Sequence, residues 1–303
     1  MTRVAVVDIG TNSTRLLVAE PDDGTLRELA RESIVTRLGE GVDATGRLGD
    51  APQARVLEAL DGFGEVMDAH GATVRTVVMT SAVRDAANGA EFADQVRERY
   101  GLTGRTLSGD EEARLSFLGA TSSRPGDVPL LVIDIGGGST EMVEGAGGEV
   151  EFHVSTQVGV VRHTERFLHS DPPAPGELDA LARAAREEIE ASVPEDVRDR
   201  VQAAVAVAGT ATQLAAIDLE LEPYDSSRVE GHQLSRERLD ALRDRLAAVP
   251  LAERRQITGL DPARAPTIVA GVTILLQVVG TFGLGGVEVS ERDILWGVAL
   301  DST

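Results

Sequence analysis

Apolar and polar positions along the chain fall into short periods that alternate between strand and helix. Residues 4–7 (Val-Ala-Val-Val) and 130–133 (Leu-Leu-Val-Ile) are aliphatic runs, each ending in an aspartate and a glycine turn. A run of this length bounded by a turn signal predicts a strand covered on both faces. Residues 14–19 read as the second arm of a hairpin, and 26–38 add a further strand or two. Pro52, acceptable in a first helical turn, marks a helix from Asp50 toward His70. Then come a strand over 74–79, a helix over 90–100 stopped by Gly101, a short strand over 105–107 and a helix from about 109 to 120. In the second half the pattern predicts a strand over 149–155, helices over 158–169 and 175–192, and a strand over 203–208. The apolar stretch 268–282 is broken by Thr273, Gln277 and Gly280 and is too short for a bilayer span, so it reads as a buried helix. Strands alternating with helices predict an α/β fold.

The two aliphatic runs open an internal echo. Asp8-Ile9-Gly10-Thr11-Asn12-Ser13-Thr14-Arg15 returns as Asp134-Ile135-Gly136-Gly137-Gly138-Ser139-Thr140-Glu141. Gly10 and Gly136 to Gly138 would expose successive backbone N–H groups as an anion nest, with Ser13, Thr14, Ser139 and Thr140 adding hydroxyls. A plain hairpin explains either copy alone; two matched copies point to paired phosphate loops. Gly209-Thr210, after the 203–208 strand and at a helix start, is a third junction of this kind.

A chain of 303 residues exceeds what one core usually serves, so two domains are expected, 1–121 and 122–303, with the crossing in the turn-rich stretch 122–129. All 29 basic residues are arginine, which excludes a Walker-type lysine loop and Schiff-base chemistry. With no cysteine there is no thiolate catalysis. The net charge of −21 speaks against general DNA, RNA or anionic-membrane binding. No secretory hydrophobic stretch precedes Asp8, and a cytoplasmic location is the expectation.

The quoted segments, with Thr80-Ser81-Ala82-Val83-Arg84 and Gly109-Asp110-Glu111-Glu112-Ala113-Arg114-Leu115, resemble the exopolyphosphatase and guanosine pentaphosphate phosphohydrolase (Ppx/GppA) family, in its order and over most of the chain. The resemblance implies two actin-like α/β domains of the ribonuclease H and sugar-kinase type, an active site in a cleft between them, a homodimer, and Mg²⁺-dependent release of orthophosphate from polyphosphate or a guanosine pentaphosphate. It makes Glu112 the group that activates water, although two acids in a first helical turn can serve its dipole alone. It makes Asp134 and Glu141 the Mg²⁺ ligands, with Asp8 ranking behind them. Phosphate contacts fall to Gly10, Thr11, Asn12, Ser13, Arg84, Gly136, Gly137, Gly138, Ser139, Thr140, Gly209 and Thr210. For Arg84 an ion pair with Asp85 or Glu91 is an equal reading from sequence. Long members of the family carry further helical domains, so short polyphosphates are the expected substrates here. Arg264-Ala265 is followed by Pro266 where an acidic residue is frequent in the family. An ATP-dependent small-molecule kinase and an alarmone-binding regulator remain the alternatives. The five histidines show no metal-ligand spacing, Trp296 reads as core, and residues 183–190 as a solvated helix face.

Overall fold

The computed structural model describes residues 2–22, 25–122, 124 and 128–302. It divides into two compact units, the first formed by Met1–Ser122 and Asp293–Thr303, the second by Ser123–Arg292. The crossing expected over 122–129 lies partly outside the described residues, since 123 and 125–127 are not among them.

The first unit is built on a five-stranded sheet of order β3-β2-β1-β4-β5, with β1 Val4–Ile9, β2 Thr14–Asp22, β3 Thr25–Ile34, β4 Val74–Met79 and β5 Thr103–Thr106. β1 pairs antiparallel with β2 and parallel with β4. Because side chains alternate along a strand, β1 serves two cores. Ala5, Val7 and Ile9 face the helices Asp50–Ala69 and Gly89–Tyr100 through Val56, Leu60, Phe63, Phe92 and Val96. Val4 and Val6 face Leu115 of the Gly109–Thr121 helix and Ile294, Leu295 and Trp296 of the Ile294–Asp301 helix. That last helix corrects the expected boundary. The sequence reading put everything after 121 in the second domain, but residues 293–303 belong to the first unit, whose second core they complete.

The second unit holds a six-stranded sheet of order β10-β11-β9-β6-β7-β8. Its strands are β6 Leu130–Ile135, β7 Thr140–Ala146, β8 Glu149–Thr156, β9 Ala203–Val207, β10 Gln233–Ser235 and β11 Gly286–Ser290. Leu131, Ile133 and Met142 point into one large core with the helices Val160–Phe167, Pro175–Ser192, Ala208–Asp218, Arg236–Ala247 and Ile268–Thr281. The helix at 268–281 is buried almost all round, as a helix apolar on every face must be. Each unit thus has a mixed sheet packed with helices, the α/β architecture the alternation of strands and helices predicts. The pattern did not resolve β10, β11 or the helices after 218 other than 268–281: β10 is three residues long, and the Arg236–Ala247 helix is polar on most positions.

Candidate functional site

The Gly109–Thr121 helix opens with a capping box. Ser108 Oγ accepts from the Glu111 amide at 3.2 Å, and a Glu111 carboxylate oxygen accepts from the Ser108 amide at 3.0 Å. Those backbone and hydroxyl bonds, with Arg105 at 2.9 Å, hold the Glu111 carboxyl below its ordinary range. The capping duty is therefore done by Glu111. Glu112, next in the chain and 7 % exposed, instead meets Arg84 Nη1 at 3.0 Å. Arg84 comes from the Ser81–Asp85 helix after β4 and also donates to the Leu107 carbonyl at 3.1 Å, so the guanidinium fixes the strand-to-helix corner and the carboxylate together. Asp85 lies 3.6 Å from Arg84 Nε, so the expected local ion pair forms as well.

Within the first echo Asp8 stands directly across from Arg15, which donates to it at 2.6 and 3.0 Å and also bonds Asp293. Burial raises the Asp8 carboxyl above its ordinary range, against the opposing pull of Arg15. Its Oδ1 and the Oδ1 of Asn12 are buried with no hydrogen-bond partner among the described residues. The strand register puts Asp134 directly across from Glu141 in the second echo. Both are on the sheet face opposite Ile133 and Met142, 7 % and 1 % exposed, and Ser155 Oγ donates to Glu141 Oε1 at 2.7 Å. Where the first echo sets Arg15 opposite Asp8, the second sets one carboxylate opposite another, a donor set that could hold a divalent cation. Among the described residues no group of three or more His, Cys, Asp or Glu gathers for a metal. Two carboxylates match Mg²⁺, which takes its other ligands from water and substrate phosphate.

Several expected phosphate donors have other work, which corrects the nest as the sequence drew it. The Gly10 and Gly136 amides close their own turns on the Ser13 and Ser139 carbonyls at 3.0 and 2.9 Å. Thr140 Oγ1 donates to the Val158 carbonyl and Thr210 Oγ1 to Ile135 O at 2.9 Å; a hydroxyl has one proton to give. Thr11 and Thr14 bond Ser81 and Thr36 at 2.8 and 3.0 Å. The hydroxyls are taken by tertiary contacts because a buried hydroxyl must be paired. The amides of Gly137, Gly138 and Ser139 keep no bond within the described residues. Gly209 has a further role that its sequence did not show: a Cβ there would lie 2.1 Å from Nη1 of Arg264. The Arg264 guanidinium thus occupies the space beside Gly209 that a side chain would need.

A model of the Ppx/GppA phosphatase family matches residues 17–303. Exopolyphosphatase 2 of Mycobacterium tuberculosis is 35% identical over 99% of this chain and 98% of its own length. Among solved structures, an exopolyphosphatase-like protein superposes with a TM-score of 0.91 at 34% identity, covering 99% of this chain and 98% of the other. A Ppx/GppA family member from Aquifex aeolicus gives 0.83 at 30% identity, covering 99% and 97%.

Proposed function

Because the chain belongs to the Ppx/GppA phosphatase family, we propose that it is a phosphoanhydride hydrolase that removes the terminal phosphate of inorganic polyphosphate, preferring short chains, or of a guanosine pentaphosphate. The observation that carries this reading is the division of labour between Glu111 and Glu112. A second acid in a first helical turn needs no arginine partner to serve the helix dipole. Glu112, held by Arg84, is instead a fixed carboxylate of the kind that orients an attacking water and accepts its proton.

The transferred phosphoryl group carries its charge on three equatorial oxygens, and amide donors stabilise that charge without reorganising. Gly137, Gly138 and Ser139 supply them, and Arg84 has further guanidinium N–H groups with which to bind phosphate. Asp134 and Glu141 would hold the divalent ion, which when bound neutralises phosphate charge next to the bond that breaks. The same reading takes Mg²⁺ as that ion, a homodimer as the assembly and the cytoplasm as the compartment. Among the described residues no helix is long and apolar enough to cross a membrane. The test is orthophosphate release from graded polyphosphates, guanosine pentaphosphate and ATP with Mg²⁺. Transfer from ATP to an added acceptor, or tight nucleotide binding without release, would replace the reading with a kinase or an alarmone-binding regulator.

A further inference from the structure

Three consecutive glycines ought to make a mobile turn, yet the carbonyls of Gly136, Gly137 and Gly138 are all held by one short segment. Gly136 O accepts from the Val160 amide at 2.9 Å, and Gly137 O from the Val161 and Arg162 amides at 2.8 and 3.3 Å. Gly138 O accepts from Arg162 Nε at 3.0 Å. In a planar trans peptide the C=O of one residue and the N–H of the next point in opposite directions. Holding three successive carbonyls toward the Val160–Phe167 helix therefore turns the N–H groups of Gly137, Gly138 and Ser139 away from it, onto one side, as an anion nest. The close approach depends on Gly159, where a Cβ would lie 2.3 Å from Gly138 C and 2.4 Å from Gly137 O.

The first echo is anchored by the same logic from an unrelated segment. Thr11 O accepts from Gly39 N at 2.9 Å and Asn12 O from Arg37 N at 2.8 Å, which turns the Asn12 and Ser13 amides the other way. Arg37 adopts a left-handed φ of 50° in that segment, and a Cβ on Gly39 would lie 2.1 Å from Thr11 Cγ2. Two loops of different composition share one device, so the carbonyl anchors rather than the glycines set the direction of the amides.

We propose that the first turn of the Val160–Phe167 helix and the Arg162 side chain form a mould that aims the Gly137, Gly138 and Ser139 amides at the transferred phosphoryl group. Arg162 is a positioning residue acting through the Gly138 carbonyl. This inference rests on the hydrolase reading, but it can be tested without turnover. Val160→Pro deletes one anchor, the amide on Gly136 O, with no change of charge. Position 160 is the first helical residue, where proline is tolerated, and the extended backbone of Gly159 suits the residue before a proline. Arg162→Gln removes another anchor, and Arg162→Lys keeps a single donor.

The measurements are melting temperature, kcat and KM on a short polyphosphate, and titration of ¹⁵N-glycine-labelled protein with orthovanadate. In the wild type the Gly137 and Gly138 amide signals should move with vanadate. In Val160→Pro and Arg162→Gln the vanadate midpoint should rise about tenfold and kcat fall about 10- to 100-fold, less than deletion of a transition-state donor, with KM and melting temperature nearly unchanged. Arg162→Lys should recover part of the loss. Wild-type kcat and vanadate midpoint in a folded Val160→Pro or Arg162→Gln protein would overturn the mould, and should one variant not fold, the other decides. A raised KM at unchanged kcat in Arg162→Gln would also overturn it, making Arg162 a direct substrate contact. If vanadate shifts these amides but the wild type releases no orthophosphate, the mould stands and the hydrolase reading falls.

Discussion

Glu111 and Glu112 are chemically identical neighbours with different surroundings, one spent on the Ser108 cap and the other buried against Arg84. Glu112→Gln keeps the size of the side chain and loses the base, so turnover should drop on the order of 10²- to 10⁴-fold while melting temperature and substrate binding hold. A folded Glu112→Gln protein with near-normal orthophosphate release would return Glu112 to a structural role. His163 makes a residue-scale prediction about pH. It is buried beside Phe167, and burial drives its pKa down to about 4 against the opposing pull of a hydrogen bond to the Gly159 backbone. The unfolded chain takes up this proton near pH 6.5 and the folded protein only near 4, so between those values the unfolded state binds more protons. Stability from neutral His163 is therefore complete above about pH 6.5 and is lost as pH falls toward 4, by on the order of 2–3 kcal/mol. Urea melts across that range should show the acid loss in the wild type and a flatter limb in His163→Leu.

At the scale of elements, register decides what the two echoes can do. Strand pairing sets Asp8 opposite Arg15 and Asp134 opposite Glu141, a neutralised pair in one hairpin and a doubly acidic one in the other. Asp134→Asn and Glu141→Gln should each move Mg²⁺ activation to higher concentration. A native Mg²⁺ titration in both variants would show that neither residue is a ligand. A second element-scale feature is the crossing of the Gly109–Thr121 and Ile294–Asp301 helices. A Cβ on Gly297 would lie 1.9 Å from Leu115 O, and one on Gly119 would lie 2.0 Å from Asp293 O. Gly297→Ala should therefore destabilise the first unit by about 1–3 kcal/mol in denaturant titration, since backbone rather than a movable side chain is in the way.

For the whole molecule, chain order and unit membership part company at residue 293. Asp293 bonds Arg15 and caps the last helix, whose Ile294, Leu295 and Trp296 fill the second core of the first unit. Deleting 293–303 should expose that core, lower the melting temperature by many degrees and abolish turnover, even though no expected site residue is removed. A net charge of −21 gives no general attraction for a long polyanion, so binding must be local to the reacting end. Catalytic efficiency at equal concentration of chain ends should rise over the first few phosphates and then level off, read from orthophosphate release and gel-resolved products. Complete digestion of single long chains beside untouched ones would contradict it. Periodicity and turn chemistry, which are local, determined most strands, the paired hairpins, the helix starts at Asp50 and Pro175 and the buried helix near 268–281. The motifs also brought Glu112, Arg84, Asp134 and Glu141 into view. Tertiary structure alone decided the rest, because it depends on contacts between distant residues. Such contacts gave Glu112 to Arg84, committed the Thr140 and Thr210 hydroxyls to carbonyls, laid Arg264 on Gly209 and returned the last helix to the first unit. A short-range pattern tells which groups a segment offers, while the partners that fold against it settle which of them remain available for chemistry.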